Sequence, residues 1–196
     1  MDNAVFRLLT ADELSGLYEN HMKRDFPKAE LKPLKALQSL TAQGFYQSYG
    51  LFDASGALMA YALYWTAGEE HPYVMLDYFA VLPHLRNAGT GSALLADMLR
   101  RFCVDGKGVF GEVEIPDTGD EAVDDLRRRR LGFYARAGLR QMGYTTKIFT
   151  VPFLVLAYGP DISDDDLMET HRAIYRTLRT GADYDKNIFI PYPSED

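Results

Sequence analysis

LDYFAVLPHLRNAGTGSALLADMLRRF, residues Leu76 to Phe102, decides how the rest of the chain is read. Leu76, Tyr78, Phe79, Ala80 and Val81 form an apolar run bounded by Pro83, the pattern of a strand. A short turn leads into Arg86, Asn87, Ala88, Gly89, Thr90, Gly91 and Ser92. Behind them Leu95, Met98, Leu99 and Phe102 recur at three and four, so a helix follows. The first amides of a helix lack an internal acceptor, and the macrodipole makes that end positive. Two glycines let an anion approach the backbone without meeting a Cβ. A strand, a glycine loop and a helix start in this order suit a phosphate group.

The flanking residues extend this pattern in both directions. Thr10 and Glu13 have the spacing of a capping box, so a helix begins after a first strand over Asn3–Leu9 and ends at Pro27. Pro33 opens a second helix with Leu34, Leu37 and Leu40 on its buried side, and Gly44 stops it. Phe45–Phe52 and Ala57–Trp65 are two strands around the turn Asp53-Ala54-Ser55-Gly56. Tyr73–Val81 is the strand that feeds the glycine loop, and Val109–Ile115 is the strand after the long helix. An acidic loop over Asp117–Asp125 precedes a helix through Arg127–Tyr134, capped by Gly138. Leu139–Thr146 and Ile148–Tyr158 form a last pair of strands; Asp164–Leu178 is a last helix, followed by a polar tail. The strand-helix-strand crossover makes the fourth and fifth strands parallel within a mostly antiparallel sheet. The expectation is a single α/β (α+β) domain over residues 1–196, with a C-terminal helix and tail from about residue 161.

Composition narrows the function. The 196 residues carry a net charge of −7, which argues against a nucleic-acid partner and suits a cationic substrate. Cys103 is the single cysteine, so no internal disulfide forms, as in a reducing cytoplasm. Asp2 and Asn3 stand where a secretory leader has basic residues, and no apolar run is long enough to span a membrane. His21, His71, His84 and His171 lack ligand spacing, so no metal is expected.

The glycine loop itself admits several readings. It can be a tight turn that only needs glycine. A Rossmann loop would want a third glycine where Leu94 stands, and no Gly-Lys-Ser/Thr ending exists for a P-loop. The remaining reading is a pyrophosphate loop with Arg86 at its mouth.

Arg86-x-x-Gly89-x-Gly91, directly after Phe79-Ala80-Val81, resembles the signature of the GCN5-related N-acetyltransferases, the GNAT family. Arg129-Arg130-Leu131-Gly132-Phe133-Tyr134-Ala135-Arg136-Ala137-Gly138-Leu139 resembles the family's "FYxxxGF" segment, with Leu139 in place of the aromatic. The resemblance covers roughly Val5 to Leu156. It implies a twisted mixed sheet whose parallel fourth and fifth strands splay apart, flanked by helices.

The resemblance further implies direct acetyl transfer from acetyl-CoA to a primary amine of a small molecule or peptide, with a homodimer left open. Amides of Asn87, Ala88, Gly89, Thr90, Gly91 and Ser92, with the Arg86 guanidinium, would hold the pyrophosphate. The backbone of Phe79 and Val81 would pair with the pantetheine arm, as an added strand does. An amide at Ala80 or Val81 would face the developing oxyanion, a contribution of about 2.7–4 kcal/mol. Tyr134 would protonate the departing thiolate; the plainer alternative is a core aromatic beside Phe133. For the base that deprotonates the amine the candidates are Glu114, then Asp77, then His84. Glu112 and Glu114 can equally belong to a solvated strand face. Two other readings remain, a CoA-binding sensor without turnover and an acyltransferase using another acyl-CoA or a hydroxyl acceptor.

Overall fold

The computed structural model describes residues 4–28, 30–86, 89–103 and 107–192. Its contacts divide the chain into two compact units, Met1–Trp65 with Asp77–Leu94, and Thr66–Leu76 with Leu95–Asp196.

In the first unit, strand β1 (Val5–Leu8) leads to helix α1 (Ala11–Leu17). The capping box closes as its spacing requires: Thr10 Oγ1 accepts from Glu13 N, and Glu13 Oε2 accepts from Thr10 N. The sequence reads as one continuous helix to Pro27. The backbone instead widens into a π turn at Tyr18–Met22 before a short α2 (Lys23–Asp25). Pro33 is the N-cap of α3 (Leu34–Ala42), whose Leu37 and Leu40 are buried. Strands β2 (Tyr46–Phe52) and β3 (Leu58–Trp65) pair antiparallel. Their turn is made by Asp53, whose Oδ1 accepts from Ser55 N and Ala57 N, while Gly56 adopts φ +83°. β1 pairs antiparallel with β2, and the strand order in this unit is β1-β2-β3-β4.

Strand β4 (Tyr73–Val81) gives Tyr73–Leu76 to the second unit and Asp77–Val81 to the first. Helix α4 (Thr90–Phe102) is likewise shared, with Leu94 the last residue in the first unit. In the second unit β5 (Gly108–Glu114) runs parallel to β4, with Tyr73 opposite Gly108 and Met75 opposite Phe110. The order there is β4-β5-β7-β6-β8. β7 (Val151–Tyr158) therefore lies between β5 and β6 (Arg140–Ile148), antiparallel to both. The sheet is mixed and mostly antiparallel, with helices α5 (Glu121–Arg136) and α6 (Asp164–Arg176) following β5 and β7 in the chain.

Two further parts of the chain differ from the sequence reading. α5 starts at Glu121, earlier than Arg127, because Asp120 caps it by accepting from Ala122 N and Val123 N. Asp117 stays in the irregular stretch before the helix, while Glu121 and Asp124 fall in its first turn, where they suit the helix dipole. The polar tail also contains α7 (Gly181–Asn187) and β8 (Ile188–Phe189), fixed by the buried Tyr184, Ile188 and Ile190.

Candidate functional site

The glycine loop belongs to the first unit. β4 ends at Val81, and a single 3-10 turn, Pro83–Leu85, brings the chain to Arg86. Gly89 takes φ +80°, a conformation that favours glycine, and its carbonyl accepts from Ala93 N at 3.0 Å as the first bond of α4. Gly89 and Ser92 are exposed and Gly91 is half-buried, whereas Thr90 is buried. Asn87 and Ala88 lie outside the described residues.

Arg86 is held from two sides. Its Nε donates to the Val81 carbonyl at 3.0 Å, and its Nη2 lies 3.5 Å from Asp25 Oδ1. Asp25, with its side chain 3 % exposed, also accepts from Arg24 and from the Tyr61 hydroxyl at 2.9 Å. Burial, reinforced by Asp25, pushes the Tyr61 hydroxyl pKa far up, so it stays a donor. Val81, one of the residues assigned to the pantetheine arm, thus has its carbonyl engaged by the loop arginine.

Along β4, Asp77, Phe79 and Val81 share one face, while Tyr78 and Ala80 point to the other and are buried. Asp77 is the centre of a dense cluster. Lys32 Nζ lies 2.8 Å from both of its oxygens, and the Tyr46 hydroxyl donates to Oδ2. Trp65 and Tyr78 present their rings to the same ammonium, at 4.5 and 5.3 Å. Tyr46 and Trp65 are strand partners, aligned by a register shift between Leu51 and Phe52 that the spacing of the hairpin does not foretell.

Tyr134 and Glu114 belong to the second unit. Tyr134 sits on α5, half-buried, with its ring edge-on to Phe133 at 5.2 Å. Burial raises its hydroxyl pKa and Arg130 offsets part of that. Glu114, at the end of β5, is paired with Arg127, which also donates to the Ile115 carbonyl, and with Arg130 at 3.5 Å. His84 lies in the 3-10 turn, exposed.

Glu112 is not solvated. Its side chain is 7 % exposed and accepts from the Thr146 hydroxyl and from the Tyr175 hydroxyl at 2.6 Å; the His171 ring lies 3.3 Å away. His171 is fully buried, with Tyr144 Oη 3.2 Å from its other nitrogen. Burial alone would raise the Glu112 carboxyl; His171, Thr146 and Tyr175 outweigh it and hold the carboxyl below its usual range. A hollow of about 490 Å3 lined by Val5, Arg7, Phe52, Asp53, Ala54 and Gly56 carries none of the predicted site residues.

Known proteins bear on this geometry through structure alone. A protein from Bacteroides thetaiotaomicron assigned to the GNAT acetyltransferases superposes with a TM-score of 0.71 at 20% identity, covering 90% of this chain and 99% of its own. The chain has the GNAT fold. A spermidine N-acetyltransferase from Vibrio cholerae, solved with CoA and spermine, is similar at a TM-score of 0.61 and 12% identity, over 81% of this chain and 96% of its own. A dodecameric structure of that Vibrio enzyme gives 0.61 at 10% identity, over 81% and 94%. No protein-family model and no curated protein sequence matches the chain. The GNAT fold accounts for the parallel β4/β5 pair that the crossover predicted. Among the described residues, no helix is long and apolar enough to cross a membrane.

Proposed function

We propose that the protein is an acetyl-CoA-dependent N-acetyltransferase that moves an acetyl group to a primary amine by direct attack on the thioester. The observation that carries this reading is the loop: Gly89 at positive φ opens a 13-residue helix on the connection that leaves β4 through the Pro83–Leu85 turn, in a chain with the GNAT fold. The amides of Gly89, Thr90, Gly91 and Ser92, with Asn87, Ala88 and Arg86, hold the pyrophosphate. The backbone of Phe79, Ala80 and Val81 receives the pantetheine arm and the developing oxyanion. Tyr134 protonates the leaving thiolate. Glu114 and Asp77 are the candidate bases. Each holds a cation, so either accepts a proton through a water or after its partner swings aside. The GNAT fold, and a neighbour solved with CoA and spermine, support an amine acceptor and a CoA donor.

The test is a thermal shift with acetyl-CoA followed by a CoA-release assay over a panel of primary amines. Acetyl-CoA raises the melting temperature, and release requires an amine. Tyr134→Phe lowers the rate by about 100-fold or more while CoA affinity stays, as loss of a general acid does. CoA binding with no release from any amine would replace the enzyme with a sensor of the same fold. Neither binding nor release would overturn both.

A further inference from the structure

The Asp77 cluster is built like a receptor for an alkylammonium ion, and the chain fills it with its own lysine. The walls come from three strands: Tyr46 on β2, Trp65 on β3, Asp77 and Tyr78 on β4. They are fixed, Trp65 and Tyr46 being essentially inaccessible and Asp77 only 7 % exposed. The cation comes from elsewhere, on the irregular segment between α2 and α3. Lys32 keeps 17 % of its side chain exposed while its Nζ meets both Asp77 oxygens and the Trp65 face. That segment is latched to the strand by one hydroxyl: Tyr78 Oη accepts from Lys32 N at 2.9 Å and donates to the Glu30 carbonyl at 2.7 Å. A carboxylate opposite aromatic faces is the chemistry that recognises a primary ammonium group.

We propose that Asp77, Tyr46, Trp65 and Tyr78 form an ammonium subsite for the amine substrate, and that Lys32 is its resident occupant until the substrate displaces it. This rests on the N-acetyltransferase reading and deepens it. An amine held as ammonium against Asp77 has no lone pair to give. The nitrogen that is acetylated is therefore a second one, and the substrate is a di- or polyamine. On this proposal Asp77 leaves the pair of candidate bases: it binds the ammonium group, and Glu114 is the base that takes the reacting proton. Because the site is open only in the fraction of molecules whose Lys32 has left, the wild type binds such a ligand more weakly than the walls alone would.

Titration calorimetry with the diamine putrescine tests this on the wild type, Lys32→Ala, and the double variant Lys32→Ala/Asp77→Asn. Removing the resident cation tightens putrescine binding by roughly tenfold or more. Butylammonium also raises the melting temperature of Lys32→Ala, whereas butanol does not. The double variant, which has no unpaired carboxylate, loses both effects. Equal affinities in wild type and Lys32→Ala would overturn the proposal, as would a response to butanol equal to that to butylammonium. If Lys32→Ala folds only with butylammonium present, that dependence supports the subsite; failure to fold even then overturns it. Acetyl-CoA binding and CoA release are measured on the same samples. Tighter putrescine binding without release would leave the subsite standing and remove the enzymatic reading. Release with no change in putrescine affinity would do the reverse.

Discussion

Replacing Tyr175 by phenylalanine removes one hydroxyl from a buried carboxylate and leaves the ring in place. Tyr175 Oη donates to Glu112 Oε2 at 2.6 Å, and Glu112 is held below its usual pKa by His171, Thr146 and Tyr175 against the cost of burial. A hydrogen bond to a charged group contributes about 1.5–3 kcal/mol. In a chain of 196 residues each kcal/mol moves the melting temperature by about 2–4 °C, so the loss is roughly 3–12 °C at neutral pH. The pH dependence follows from the sign of the shift. A carboxyl with a lowered folded-state pKa adds stability that is present above its unfolded value, about 4.3, and is lost as pH falls through the folded value. Tyr175→Phe moves the folded value up, so its deficit is largest at neutral pH and shrinks below pH ~4. Melting curves followed by circular dichroism across the acidic range are the assay. A deficit under about 1 °C at neutral pH, or one that stays constant into acid, would refute the reasoning.

Three smaller changes probe other parts of the chain. Thr10→Ala opens the capping box of α1 and costs about 1 kcal/mol, read as a lower denaturant midpoint with unchanged slope. Gly138→Ala forces a Cβ at φ +91° and 3.2 Å from the Tyr158 ring, costing about 1–2 kcal/mol in the same measurement. Cys103→Ala leaves CoA release nearly intact: burial raises the thiol pKa, its Sγ lies 3.6 Å from the Tyr158 carbonyl, and direct transfer needs no thiolate. A variant that binds acetyl-CoA but releases none would point to a covalent intermediate.

Local signals read best in this sequence. The strand Tyr73–Val81, the capping box at Thr10 and the Asp53 turn depend on neighbours a few residues away, and all three form as spaced. The helix from Glu121 needed Asp120 to be recognised as a cap rather than as one acid in a loop. Alternation put Glu112 and Glu114 on one face of β5 without saying what covers it. Glu112 meets Thr146 and Tyr175, 34 and 63 residues onward, while Glu114 meets two arginines of α5. Asp77 was legible as a carboxylate on the right strand; Lys32 was not, because a lone lysine in an irregular stretch has no periodicity. Gly89 is legible because few residue types tolerate the backbone it adopts.

The short pairing of β8 with β6, Lys147 with Phe189 and Ile148 with Ile188, has a consequence for how the chain can be handled. Without it, the Lys147–Ile148 end of β6 would offer unpaired amides and carbonyls to any passing strand. The last turn of chain therefore works as a guard rail against self-association. A clipped protein lacking Gly181 onward would be expected to recruit a neighbour to that rim, so purification handles belong at the other terminus.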